Sequence, residues 1–405
     1  MPATVPDTTP GSSHHPVDAA FEWAYPLYAI ALTRYRAVQD PGNPRRHAPN
    51  TWQHERRLAD HAARRITAPN NDTLYSNAWV DLSQGPVTLR VAAMPAGRYW
   101  SVAMMDAFTN HFAIVGQRLD GAGPVEVTLL GPAWHRVKVP GRGVRMIRAP
   151  GNDAWLFARC LVDGPADLPN AHAMQECLSL SEPAGARHAE RVVPTTSTDA
   201  CNFLAVVNDM LGRNPPPLDE AALLAQWAAL GTAGARGRRN VQGWITAGPE
   251  IGGFGKNFAL RASVAHGGLG ALPPIEATYF VRFHDEAGAV LDGRRDHLLT
   301  IPASGIPTDS FWSFSMYQPE GGMRFFVDNP IHRYSIGNRT PGLVSNPDGS
   351  LDIALTHTAP ADARLRANWL PTPDGLFQIS LRCYMPRSEL RAGEAAMPRI
   401  ARLPG

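Results

Sequence analysis

The sequence predicts a mainly β protein with helical segments, an α+β chain of two β-sandwich or jelly-roll-like modules joined by a helical connection. Three observations carry this expectation. Short β-rich runs (PVTLRVAAM, GRYWSVAMMDAF, HFAIVGQRL, PVEVTLLG, AWLFARCLV) crowd residues 77–162, separated by Gly/Pro turn signals. The same texture returns after Pro274 in TYFVRFHD, HLLTIP, SFWSFSMY, SLDIALTH and FQISLRCYMP. Between them, from about Asp167 to Gly270, the periodicity turns helical, strongest in ACNFLAVVNDML and DEAALLAQWAAL.

Taken in order, residues 1–17 carry Pro, Thr, Ser and His without periodicity and read as a mobile N-terminus. Residues 18–165 form the N-terminal helix-plus-β-sandwich module. Its opening helix spans Asp18–Arg36, where Phe21, Tyr25, Tyr28, Ile30 and Leu32 recur at helical spacing and Pro26 either kinks the helix or opens a second one. A second helix is predicted over Thr51–Ile66 with Asn50 as its N-cap. That would set His54 and His61 on one face about 10 Å apart, too far to share a metal ion. Residues 166–273 are the helical connecting layer, and 274–405 the C-terminal β-sandwich module.

Composition narrows the function. A chain of 405 residues, 44% hydrophobic and 18% charged, has ample material for a core. Its 38 Lys plus Arg nearly balance 36 Asp plus Glu, and no run of like charge marks a nucleic-acid or membrane face. The start lacks the basic and apolar regions of a signal peptide, and no stretch suits membrane insertion, so a cytoplasmic protein is expected. Schiff-base chemistry would have to use Lys138 or Lys256, the only lysines, and neither has an activating neighbour in sequence. The cysteines Cys160, Cys177, Cys201 and Cys383 are far apart and form no CxxC pair, which removes the common zinc, iron–sulfur and redox motifs and leaves buried free thiols as the expectation. GGFGKN fails as a phosphate loop because Glu250 stands at the first glycine position and Asn257 follows Lys256. No HExxH or GxSxG is present. Neither a metal nor a cofactor is expected.

Polar chemistry gathers in two places. APNNDTLYSNAW projects amide, carboxylate and phenol groups from Asn71, Asp72 and Tyr75, or simply turns into the first strand. Downstream, Arg98 and Asp106 share a strand face but stand roughly 26 Å apart along an extended chain, so each must find its own partner. In the second half, alternation puts Trp312, Phe314 and Met316 on one face and Phe311, Ser313, Ser315 and Tyr317 on the other. FQISLRCYMP likewise sets Ser380, Arg382 and Tyr384 opposite Ile379, Leu381, Cys383 and Met385. The polar set either lines a shared cavity or forms a solvated outer face.

NNDTLYSNAWVDL with RYWSVAMMDAFTNHFAIVGQR, then FWSFSMY, NPIHRYSIGNRTPGL, NPDGSLDIAL and NWLPTPDGLFQISLRCYMP, resemble a two-part bacterial family. It pairs the domain of unknown function numbered twelve fifty-four, N-terminal, with twelve fourteen, C-terminal. The resemblance runs from about Phe21 to Pro386 and implies two predominantly β, jelly-roll-like modules with a helical connection. It implies no reaction. The matching positions include Asn71, Asp72, Thr73, Tyr75, Arg98, Tyr99 and Asp106, then Trp312, Ser313, Tyr317, Asn329, Arg333, Tyr334, Asp348, Asn368, Trp369, Arg382 and Tyr384. Departures are Asn338 before Arg339, Ala354 and Thr356 before His357, and His297.

Two functional expectations result, both with a small molecule as partner and a second copy of the chain as a further one. The first is an enzyme without metal or cofactor, working by acid/base hydrolysis, elimination or isomerisation. Its catalytic candidates are Asp72, Tyr75, Arg98, Asp106, Tyr317, Arg382 and Tyr384, and its substrate contacts Asn71, Trp100, Trp312, Ser313 and Trp369. The alternative is a small-molecule or carbohydrate binding module with aromatic walls, or a structural protein.

Overall fold

The structure is a computed structural model describing residues 16–64, 67–136, 145–182, 184–216 and 238–403. The expectations for residues 1–15, for Lys138 and for DEAALLAQWAAL fall outside these residues. The described residues form four sheets and seven α-helices, a mainly β architecture with a helical minority and no barrel.

The strands, in chain order, are β1 (Gln53–His54), β2 (Thr73–Asp81), β3 (Val87–Val91), β4 (Trp100–Asp106), β5 (His111–Gly116), β6 (Val125–Leu130), β7 (Arg145–Arg148), β8 (Asp153–Leu161), β9 (Leu178–Ser181), β10 (Arg238–Val241), β11 (Trp244–Ala247), β12 (Ala277–Arg282), β13 (His297–Ile301), β14 (Trp312–Glu320), β15 (Met323–Phe325), β16 (Ser335–Gly337), β17 (Leu351–Leu355), β18 (Gln378–Tyr384) and β19 (Arg399–Arg402). The helices are α1 (Pro16–Val38), α2 (Gln117–Asp120), α3 (Leu168–Glu176), α4 (Ala200–Arg213), α5 (Phe258–Gly267), α6 (Ala363–Ala367) and α7 (Ser388–Ala392). The stretch 166–273 thus holds β9, β10 and β11 as well as α3, α4 and α5.

Sheet order follows from which faces are apolar. In the first half a five-stranded sheet, β1-β2-β8-β4-β5, packs against a four-stranded one, β7-β6-β3-β9. Alternate residues of β2, β4 and β8 (Ala78, Val80, Val102, Met104, Leu156, Ala158) meet Val87, Leu89, Val127 and Leu129 of β3 and β6 in one dry core. The second half repeats the scheme. There the sheet β10-β11-β12-β18-β14-β15, with β16 also on β14, packs against β17-β13-β19 around Phe280, Phe314, Leu381, Leu299, Ile353 and Ile400. Trp312, Phe314 and Met316 lie in this core, as their alternation predicts.

The other face of the five-stranded sheet is divided. At one end Trp79, Trp155 and Met105 are covered by α1, α4 and α5, which supply Leu27, Tyr28, Phe203, Val206 and Phe258. α1 runs unbroken through Pro26. α4 starts where Asp199 caps it, its carboxylate accepting from the Cys201 and Asn202 amides. At the other end Tyr99, Ala103 and Leu161 meet Ala277, Phe311 and Tyr384 of the C-terminal sheet. Two faces that would each be half-solvated alone are pressed together.

The helix expected over Thr51–Ile66 does not form in the described residues of that span, 51–64. Gln53 and His54 instead pair with Asn77 and Ser76 as an edge strand. The Glu55 amide donates to the Tyr75 carbonyl, and Gln175 ties both the Glu55 and Tyr75 carbonyls. These tertiary bonds override a weak local preference. Asn50 is no N-cap: at φ 58° it holds Asp81, accepting from the Asp81 amide at 2.9 Å. His54 bonds Ser76 and His61 bonds Tyr334, so the two imidazoles have separate roles. Of the four free cysteines, Cys160 and Cys383 are buried as expected, while Cys177 is half-buried and Cys201 exposed on α4. No helix among the described residues is long and apolar enough to cross a membrane.

Phe314 is fully buried in the second core, so Phe314→Ala should lower unfolding free energy by about 3–5 kcal/mol, against less than about 0.5 for the exposed Leu119→Ala, both read from urea midpoints.

Candidate functional site

Where the two sheets face each other, antiparallel register sets a polar rung on each. On the N-terminal sheet Arg159 of β8 lies between Tyr75 of β2 and Ser101 of β4. On the C-terminal sheet Arg382 of β18 lies between Tyr279 of β12 and Ser313 of β14. Both arginines are buried on central strands, a costly position unless their donors are satisfied.

Arg382 is satisfied. Its Nη1 donates to Ser315 Oγ at 2.6 Å, and its Nη2 to the Tyr317 hydroxyl at 2.5 Å and to the Ala68 and Pro69 carbonyls at 3.0 and 3.2 Å. Those carbonyls belong to the turn that leads into β2, and it is this turn that enters the C-terminal sheet. Asn70 donates to the Tyr384 hydroxyl at 2.8 Å, Tyr317 donates to the Pro69 carbonyl, and Asp72 accepts from Ser313 at 2.6 Å and from Ser335 at 3.4 Å. Burial raises the Asp72 carboxyl above its ordinary range, against the opposing pull of Arg382 and the two serines. Burial lowers the Arg382 guanidinium, but Tyr317, Asp72 and Tyr384 raise it further, so it stays charged.

Arg159 differs. Its Nη2 donates to the Gly270 carbonyl at 2.7 Å, while Nε and Nη1 are buried with no hydrogen-bond partner among the described residues. The guanidinium stacks over Phe157 at 4.4 Å and Tyr75 at 5.4 Å. Burial pulls its pKa down, yet the phenols of Tyr75, Tyr279, Tyr384 and Tyr99 outweigh that, so the group is cationic at every physiological pH. Beyond it Tyr75, Phe157, Trp155 and Trp79 form a ladder of stacked rings with centroids 4.8–5.0 Å apart. Tyr75, Phe157 and Tyr279 remain half-buried, so this seam between helical layer and C-terminal sheet reaches solvent.

Loop 268–273 closes one side. Gly270 sits at φ 85°, where the left-handed backbone favours glycine, and a Cβ there would stand 3.1 Å from the Phe157 ring, which would have to shift by a few tenths of an ångström. The next carbonyl, Ala271, accepts from His111 Nε2 at 2.9 Å, leaving Nδ1 buried and without a partner among the described residues. Burial is the main cause holding His111 at a pKa of about 4, opposed by the Ala271 bond and helped by Arg159. The imidazole is therefore neutral, with Nδ1 an acceptor.

Of the residues singled out in the sequence, Asn71, Asp72, Tyr75, Ser313, Tyr317, Arg382 and Tyr384 come together at this interface. Asn71 bonds the Ala59 carbonyl and faces Ser335. The rest lie elsewhere. Arg98 pairs with Asp167 and the Leu161 carbonyl. Asp106 folds its own turn, accepting from the Phe108 and Asn110 amides at 2.9 Å. Trp100 and Trp312 are core rings, the former bonded to the Gly121 carbonyl. Trp369 is buried with its indole N–H on the Thr356 carbonyl. Ser313, Ser315, Tyr317, Arg382 and Tyr384 form no solvated outer face, because the N-terminal half covers them. Arg159, Tyr279 and His111 were missed. The signal for Arg159 was present in AWLFARCLV, where alternation puts one charge on the face of Trp155 and Phe157.

Among the described residues no group of three or more His, Cys, Asp and Glu side chains is arranged to hold a metal ion. A cleft of about 340 Å³ opens elsewhere, beside Ile306, Pro307 and Glu389, where Arg387 pairs with Asp309.

Residues 49–182 match the model of a protein of unknown function, DUF1254, and residues 276–388 that of a second, DUF1214. The chain belongs to this two-part family. The DUF1254–DUF1214 fold recurs in solved structures. The VPA0106 protein from Vibrio parahaemolyticus superposes with a TM-score of 0.71 at 22% identity, over 96% of this chain and 99% of that one. An uncharacterised protein from Burkholderia cenocepacia gives 0.51 at 15% identity, over 98% and 91%. No curated protein matches the sequence. In DUF1254–DUF1214 terms, Tyr75, Arg159 and His111 come from the first domain and Tyr279, Arg382 and Tyr384 from the second, while Gly270 lies between the matched segments.

Two outcomes follow from these partnerships. Arg382→Met strips donors from Tyr317 and two buried carbonyls and leaves Asp72 without its cation, so it should cost about 3–5 kcal/mol, while a double-mutant cycle with Asp72→Asn should show coupling well above experimental error. Burial lifts the Asp106 pKa to about 6 against the Asn110 bonds, so folding favours its protonated form: that contribution is full below about 3.8 and disappears as pH rises through 6. Wild type should therefore lose Tm relative to Asp106→Asn between pH 4 and 6.5 in buffered calorimetry.

Proposed function

We propose that the seam between the two sheets is a binding site for a small organic molecule. The observation that carries this reading is Arg159, a buried and permanently charged guanidinium with two nitrogens unpartnered among the described residues. An uncompensated buried charge costs a fold several kcal/mol, and proteins keep such groups where something outside the chain completes them. The stacked wall of Tyr75 and Phe157 and the half-buried Tyr279 supply the apolar contact that small-molecule sites combine with a few convergent polar groups.

Acid/base catalysis by Asp72 with Tyr317 and Arg382 has weaker support. The Asp72 carboxylate is bonded to Ser313 and Ser335, and the Arg382 amino groups serve Ser315, Tyr317 and two carbonyls, an arrangement suited to joining the halves. The free thiols of Cys160, Cys177, Cys201 and Cys383 favour a reducing, cytoplasmic setting.

The test is a thermal-shift screen of a mixed small-molecule library against wild type, Arg159→Met and Tyr75→Leu. Compounds present at 100 times their Kd should stabilise wild type by about 2.7 kcal/mol. Arg159→Met should be stabilised by them far less, yet melt at or above the wild-type temperature, because it removes an uncompensated charge. A library with no wild-type ligand, or ligands that stabilise Arg159→Met equally, would refute the proposal.

A further inference from the structure

Resting on that reading of the seam, we propose that its ligand is a carboxylate on a flat, apolar or aromatic body, with Arg159 as the counter-ion. The argument begins with the charge balance inside the interface. No ion pair to Arg159 is formed among the described residues, and the buried carboxylates of the interface, Glu276 and Asp72, are engaged elsewhere. Glu276 accepts from Tyr99 at 2.9 Å and from Arg118 at 2.6 Å, and Asp72 is held by its two serines on the facing sheet. Among the described residues one positive charge is therefore left uncompensated in the seam. The missing partner carries one negative charge.

One charge also limits which anion fits. A phosphate dianion calls for a second cation or an array of backbone amides. The other buried cation of the facing sheet, Arg382, is committed to Ser315, Tyr317 and the carbonyls of Ala68 and Pro69. His111 is neutral and offers an acceptor nitrogen. A lone guanidinium ringed by phenol groups matches a monoanionic carboxylate, whose two oxygens can take a guanidinium donor and a phenol O–H together.

The walls indicate the rest of the molecule. Phe157 and Tyr75 lie parallel, 9° apart, and both keep part of their surface open, so a molecule that reaches the cation meets ring faces and edges. Tyr279 bounds it from the C-terminal sheet and is likewise half-buried. His111, bonded to the carbonyl next to the one that Arg159 uses, keeps an Nδ1 unpartnered among the described residues that can accept a hydroxyl or amino proton.

Matched pairs make this testable. The full chain is titrated calorimetrically with benzoate, 4-hydroxybenzoate and cinnamate, and with the corresponding carboxamides, at low ionic strength; wild type, Arg159→Lys, Arg159→Met and Tyr75→Leu are compared. The carboxylates should bind wild type about 10- to 100-fold more tightly than their amides, the loss expected when a charge-assisted bond becomes neutral. Arg159→Met should erase that preference, and Arg159→Lys, which keeps the charge without the planar fork, should retain part of it. Equal binding of acids and amides, with both lost in Tyr75→Leu, would overturn the carboxylate assignment and leave the seam as a binding site. Acids bound equally by wild type and Arg159→Met would overturn it as well. Failure of every acid and amide to bind wild type, while other library members bind in an Arg159-dependent way, would sink the ligand class alone. Failure of the entire library would sink the site too.

Discussion

The fold turns on one inserted loop. Residues 67–72 leave the N-terminal half and present two carbonyls, an amide and a carboxylate to the C-terminal sheet, where Arg382, Tyr384 and Ser313 receive them. The geometry makes this a lock more than a glue. Arg382, Tyr317, Tyr384 and Ser313 of the C-terminal face each have a specific partner in the loop, and an error of register would bury several of them unpaired at roughly 1–3 kcal/mol each. Hydrophobic contact among Tyr99, Phe311 and Tyr384 supplies area, and the stacked Phe311–Tyr384 pair at 4.3 Å contributes shape, but only the polar pairs fix how one sheet sits on the other.

The seam follows from that alignment. The five-stranded sheet is longer than the face the C-terminal sheet covers, and α1, α4 and α5 cover its opposite end. Two coverings built on different layers meet over Tyr75, Phe157 and Arg159; they bury the guanidinium and leave the two rings half-buried. A position at the boundary between packed layers is also where binding clefts arise in multi-layer proteins, because the scaffold on either side is rigid while the gap itself carries little of the core.

Much of this was legible in the sequence. Alternation in SFWSFSMY and FQISLRCYMP divided core from non-core faces, since the pleat fixes side-chain direction without knowledge of partners; the exception is Met385, which lies past the end of β18 at φ 51° and packs with Tyr384 instead of the core set. The Asn70–Tyr75 cluster stood out because so many short polar side chains together cannot all be idle. What alternation could not say was what covers the polar face, since that depends on a contact between residues about 240 positions apart. Arg98 and Asp106 illustrate the opposite failure: both looked chemical, yet one fastens a turn through Asp167 and the other organises its own. The Thr51–Ile66 helix failed because Gln175, more than a hundred positions away, supplies bonds that a local reading cannot anticipate. Arg159 was passed over because a single charge in an apolar strand resembles noise until its neighbours in space are known.

Gly270 carries a separate lesson. Its carbonyl steadies Arg159, but its backbone sits in a left-handed conformation against an aromatic ring, so coding changes there would be disfavoured on steric grounds before any effect on binding could be selected. Across descendants of this gene the position would look constrained for reasons of shape, and a survey that ranks residues by reactive groups would discard the residue whose carbonyl accepts the cation's hydrogen bond.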